Sequence, residues 1–189
     1  IDAFKINFKL LENFFSEINK FMLLYGDEKS GKKYILNSFI NCFHRDKKIF
    51  YASLEDDHFS EKILEGISYF DVIVLDRLDL APTNPHWEMG IFNLYNDSNK
   101  EGKNQIIFLS DKSLNSIDFN LKDLQSRISS SYDISFGDLN DEEKRILMEL
   151  IFRKRGISID NSVLSYALER SSRSPVSYTH LTLPTRTVV

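Results

Sequence analysis

"LLYGDEKSGKKYIL", residues 23–36, is an apolar run stopped by Gly26, four polar residues, and then Gly31-Lys32. This is the spacing of a phosphate-binding loop. Two glycines five apart let the backbone turn its amides inward, a following helix adds its N-terminus, and Lys32 supplies a point charge for the outer phosphates. An ordinary Gly-containing turn with surface lysines is the other reading. The next position should carry Ser or Thr, whose hydroxyl reaches magnesium; here it is Lys33.

The flanking pattern supports a strand, loop and helix. Phe21 to Tyr25 is short and apolar, and Ile35, Leu36, Phe39, Ile40 and Phe43 recur at three- and four-residue spacing. Further strands are expected at Ile49–Leu54, Asp71–Asp76, Gln105–Leu109 and Tyr132–Phe136, with helices at Phe59–Ile67 and Trp87–Ser98. Continuous apolar strands alternating with helices predict an α/β fold whose parallel sheet is covered on both faces. After Gly137 the pattern turns helical: Asn140 and Glu143 form a capping-box pair, "RKR" precedes Gly156, and a second helix is expected from Ser162 to Arg170. The expected division is a nucleotide-binding body at 1–137, a partial helical lid at 138–174, and a tail at 175–189 that reads as foreign to the fold.

Bulk properties narrow the function. The 189 residues suffice for one three-layer domain with a small appendage. A formal net charge of −4 disfavours a dedicated DNA-binding module. The lone Cys42 reads as a small core residue in a reducing compartment. His44, His58, His86 and His180 are scattered, which makes a zinc site improbable. No run approaches the roughly 18 apolar residues of a membrane span, and the basic-then-apolar order of a signal peptide is missing. A cytoplasmic protein without membrane contact is expected.

Two further stretches carry chemistry. In "VIVLDRLD", residues 72–79, Asp76 ends a buried strand where a carboxylate holds magnesium through water; a strand-end turn or cap is its other reading. The following residue, where a second acid normally activates water, is Arg77, which cannot accept a proton. In "DLQSRI", residues 123–128, Arg127 leaves a helix end, either as a finger for a neighbouring phosphate site or as the ion-pair partner of Asp123.

"VIVLDRLDLAP", "HWEMGIFNLYN", "IIFLSDKS", "LKDLQSRI" and "LNDEEKRILMELIFRKRGISI" together resemble, in order and spacing over residues 10–174, the DnaA-type AAA+ ATPases. They look most similar to the short Hda-like regulatory inactivators of that family. The resemblance implies an AAA+ P-loop NTPase three-layer fold with a parallel five-stranded sheet and a small helical lid, lacking a DNA-binding domain. It makes Gly26, Asp27, Glu28, Lys29, Ser30, Gly31, Lys32 and Lys33 the nucleotide loop, Asp76 the metal-side acid, Asp111 the sensor at a strand tip, and Arg127 the finger acting on ATP held by DnaA. Arg173 stands in for the lid sensor arginine. The implied cofactor is ADP or ATP, with magnesium weakened by Lys33 and Arg77. The implied partners are DnaA and the polymerase sliding clamp, whose binding motif is not seen in this chain, with a homo-oligomer also open. The implied role is negative regulation of replication initiation by the ADP-bound form, with little independent ATP hydrolysis. A self-sufficient DnaA-like or DNA-loading ATPase is the alternative.

Overall fold

The computed structural model describes residues 9–11, 13–16, 21–43, 46–101 and 104–137, with Asn140, Glu142, Arg145, Glu149, Ser158, Asp160 and Ser162 beyond them. The expected tail, Arg173 and nearly all of the expected lid lie outside the described residues. Glu142, Arg145 and Glu149 are helical, and Arg145 reaches both acids at three- and four-residue spacing.

Five strands, β1 (Phe21–Tyr25), β2 (Ile49–Ser53), β3 (Val72–Asp76), β4 (Gln105–Ser110) and β5 (Tyr132–Ser135), form one sheet in the order β2-β3-β4-β1-β5. Every pairing is parallel: Leu23 lies beside Phe108, Leu24 beside Ile134, and Ile73 beside Ile106. Around the sheet stand α1 (Lys32–Phe43), α2 (Pro85–Glu101) and α3 (Lys122–Ile128), with further helical residues at 9–11 and 13–16.

The three central strands, β1, β3 and β4, are mostly apolar because both faces are buried, while the edge strands β2 and β5 keep exposed positions at Tyr51, Asp133 and Ser135. Side chains alternate across a strand, so β1 sends Phe21 and Leu23 to one layer, Met22 and Leu24 to the other. On the first face Ile73, Leu75, Ile106 and Phe108 pack under Trp87, Ile91, Leu94 and Tyr95 of α2 and under Leu124 and Ile128 of α3. On the second, Val72, Val74, Ile107 and Leu109 meet Ile35, Leu36, Phe39 and Ile40 of α1, joined by Leu11, Phe14 and Phe15. The Gln105 side-chain amide donates to the Phe14 carbonyl at 2.7 Å, tying the helical residues 13–16 to the start of β4. Each fully buried Leu, Ile or Phe of these layers contributes about 1.5–3 kcal/mol.

The five expected strands form within a residue or so of their expected ends. The helix expected at 59–67 does not. A single 3₁₀ turn, Glu61–Leu64, stands there between extended Ser60 and Glu65, and Gly66 at φ +74° reverses the chain. The apolar residues Phe59, Ile63, Leu64 and Ile67 still pack on the α2 face of the sheet, so their spacing reported burial rather than helix. The helix expected from Trp87 begins at Pro85, because proline suits the first helical turn.

Candidate functional site

β1 lies between β4 and β5, so the loop that follows it opens at the carboxyl edge of the sheet, beside the tips of both neighbours. Ligands of open parallel sheets bind at such an edge, where the strand order reverses. The Gly26 amide donates to the Ser110 carbonyl at 3.2 Å, and the Phe136 amide donates to the Tyr25 carbonyl at 2.7 Å. Gly26 takes φ +153°, and a Cβ there would run into the Phe136 carbonyl oxygen. Gly31 takes φ +77°, a left-handed conformation that glycine adopts without steric cost. Its carbonyl accepts the first α1 bond, from Ile35 at 2.9 Å. The amides of Lys32, Lys33 and Tyr34 therefore precede the intrahelical ladder, as at any helix N-terminus that faces an anion.

Two buried groups on this loop suit a phosphate. Lys32 is 1% exposed, and its ammonium donates to the carbonyls of Gly26 (2.9 Å) and Asp27 (3.2 Å) and to Asp111 Oδ1 (2.6 Å). The Ser30 hydroxyl is fully buried and finds no hydrogen-bond partner among the described residues. A buried polar atom left without a partner is costly and marks a place where a ligand or water completes the bonding. The loop thus fits a nucleotide phosphate.

Magnesium fits less well. Asp76 is 1% exposed, and its Oδ2 accepts from both the Lys33 ammonium and the Tyr51 hydroxyl, each at 2.5 Å. Its Oδ1 accepts the Arg77 amide at 2.9 Å. Partial desolvation of the Tyr51 phenol, on a residue that stays 45% exposed, followed by its hydrogen bond to Asp76, pushes the phenol well above its usual range. The carboxylate read as the metal-side acid is therefore engaged by the chain's own donors. Among the described residues no group of three or more His, Cys, Asp and Glu side chains could hold a metal ion.

Arg77 adopts a left-handed backbone, φ 62°, the one non-glycine described residue to do so, a conformation that side-chain-bearing residues adopt at sites over-determined by their surroundings. Its guanidinium bridges Asp79 (3.2 Å), Glu55 (3.1 Å) and Asp111 (3.5 Å). Asp79 also accepts the Asp111 amide at 3.1 Å. Burial works to raise the Asp79 pKa, but the Arg77 hydrogen bond and the Asp111 amide outweigh it and hold the carboxyl below its usual range. A carboxylate so stabilised as an anion is a poor general base.

Arg127 lies elsewhere. Its guanidinium sits over the rings of Phe92 (4.8 Å) and Tyr95 (5.6 Å) and has no carboxylate partner among the described residues, so pairing with Asp123 is not observed. Tyr95 stacks on Phe21 at 3.8 Å, the first residue of β1. The loop begins after the last, so the five-residue strand separates them by roughly 16 Å. α3 is anchored by Glu88 of α2, a buried carboxylate whose oxygens accept the amides of Asn120 (2.9 Å) and Leu121 (2.8 Å) at its start.

Tyr51, Asp79 and Glu88 were not picked out from the sequence. Asp79 had a local signal, as the second acid of "DRLD". Tyr51 and Glu88 had none, since each acts on a residue more than 20 positions away.

No protein-family model matches the chain. An uncharacterized protein of Haemophilus influenzae is 28% identical over 155 residues, which cover 81% of this chain and 67% of that protein. The crystal structure of a DNA replication initiation factor matches with a TM-score of 0.71 at 16% identity, over 95% of this chain and 59% of that one. AMPPCP-bound DnaA from Aquifex aeolicus matches at 0.69 and 17% identity, over 95% and 60%. The chain spans about three fifths of the length of these two structures. Five parallel strands in three layers, with a glycine-bounded loop after the strand set between β4 and β5, give this chain the AAA+ P-loop NTPase fold, similar in structure to DnaA.

Proposed function

We propose that the chain is a nucleotide-holding AAA+ regulator of replication initiation, of the Hda kind. In this reading it keeps ADP in the Gly26–Lys33 loop and lends Arg127 to ATP bound by a DnaA-type partner, in the cytoplasm and in association with a sliding clamp. One observation carries it: Arg127 stands near the amino end of β1, remote from its own loop and without a carboxylate partner among the described residues, while Asp76 and Asp79 are bound by Lys33 and Arg77. A finger so placed cannot serve its own nucleotide. The adenine nucleotide in the similar DnaA structure supports the choice of ligand.

The nucleotide, when bound, supplies a charged diphosphate that fixes the loop. Gly26 and Gly31 shape the cradle, Lys32 faces the phosphates, and Asp111 holds Lys32 from the β4 tip. Calorimetry with ADP tests this directly. Lys32→Ala is expected to weaken binding by about 1.5–3 kcal/mol, the scale of a charge-assisted hydrogen bond. If the parent binds no ADP, the nucleotide role is lost.

With Asp79 held as a paired anion and Arg77 in the usual place of the second acid, the chain alone is expected to turn ATP over far below about 1 per second, the low end of typical enzymes. Steady hydrolysis near that rate, abolished by Asp76→Ala, would favour a self-sufficient ATPase instead.

A further inference from the structure

We propose that the site binds a nucleoside diphosphate without a divalent cation, the Lys33 ammonium standing where a metal would be held. This rests on the nucleotide reading above and deepens it. A metal held through water needs a carboxylate oxygen free to accept from that water. Here Asp76 Oδ2 already takes the Lys33 ammonium and the Tyr51 hydroxyl, and Oδ1 takes the Arg77 amide. Position 33 itself offers no hydroxyl to a metal.

The charges point the same way. Lys32, Lys33 and Arg77 lie in ion pairs with Asp76, Asp79 and Asp111, and Arg77 also reaches the exposed Glu55, so each of the three aspartates already has a cation. A divalent ion beside the Lys33 ammonium meets like charge, and displacing that ammonium strips a buried carboxylate of its counterion. An incoming diphosphate, by contrast, can share the ammonium with Asp76, because the Lys33 side chain is 39% exposed while Asp76 is not. Lys33 is the second residue of α1, so its ammonium and the first-turn amides that precede the intrahelical ladder stand at the same helix end.

The test is calorimetric titration of the full chain with ADP, in magnesium and in EDTA. The parent is expected to bind with dissociation constants within about threefold of each other, well short of the tenfold that marks 1.4 kcal/mol. Lys33→Ser supplies a hydroxyl and takes the ammonium off Asp76 Oδ2, and should bind at least about tenfold more weakly in EDTA than in magnesium. Lys33→Arg keeps a cation on Asp76 and should stay indifferent to magnesium. A parent that loses tenfold or more in EDTA overturns the inference and leaves the nucleotide reading standing, whereas no ADP binding in either buffer overturns both. A Lys33→Ser protein as indifferent as the parent removes Lys33 from the role. Should that variant not fold, the parent and Lys33→Arg measurements still decide.

Discussion

Arg127→Ala is expected to cut stimulation of ATP hydrolysis on a DnaA-type partner by roughly 10³ to 10⁵, the range of arginine fingers supplied from a partner. ADP binding by the variant should match the parent, because Arg127 contacts Phe92 and Tyr95 at the far end of β1 and nothing in the loop. Magnitudes separate this from a structural role. Losing the ring contacts removes about 0.5–1 kcal/mol of cation–π attraction at a partly exposed site. The expected rate loss corresponds to about 4–7 kcal/mol of barrier, which so small a stability change cannot produce. Arg127→Lys keeps the charge over the rings but loses the planar fork, so it should keep the parent's stability without restoring stimulation. The assay mixes the chain with DnaA, ATP and the clamp on DNA. Stimulation by Arg127→Ala equal to that of the parent would leave Arg127 a packing residue of the α2–α3 layer and remove the regulator's mechanism.

Gly26→Ala should be the most damaging single-methyl change in the loop. The φ of +153° is strained for an alanine, and the added Cβ meets the backbone carbonyl of Phe136, which cannot rotate aside as a side chain does. Strain of about 1–3 kcal/mol for the backbone and a similar overpacking term together predict a loss of about 2–6 kcal/mol in urea unfolding. ADP binding should fall with it, since relief requires β1 and the residues after β5 to part at the proposed phosphate loop. Gly137→Ala is the control. A Cβ there has nothing within 4 Å, so its stability should stay within about 0.5 kcal/mol of the parent. Equal stability of the two variants would show that the strand ends yield and that Gly26 is not sterically required.

Much of the fold was legible because its signals are local. The unbroken apolar runs at Phe21–Tyr25, Val72–Leu75 and Ile106–Leu109 suit burial on two faces in a covered parallel sheet, and there they lie. The stretch 59–67 misled for the same reason. Its apolar spacing suits one face of a helix, yet a single turn ended by Gly66 buries the same residues. The magnesium-side weakness of the site was visible as Lys33 and Arg77, but what those cations do was not. Read along the chain, Arg77 is a missing base; in space it is a clamp on Asp79, Glu55 and Asp111.

The sequence by itself determined the strand, the glycine-bounded loop and the helix that follows, because φ/ψ freedom at Gly26 and Gly31 and the apolar spacing of α1 are properties of neighbouring residues. Only the tertiary structure decided which charges meet. Parallel register sets Ser53 beside Asp76, which brings Tyr51, two residues earlier on the same face, to the Asp76 carboxylate. Placing β4 next to β1 brings Asp111 to Lys32 across 79 positions of chain. Such pairings follow from strand order and register, which arise from packing the whole sheet and leave no mark in local spacing.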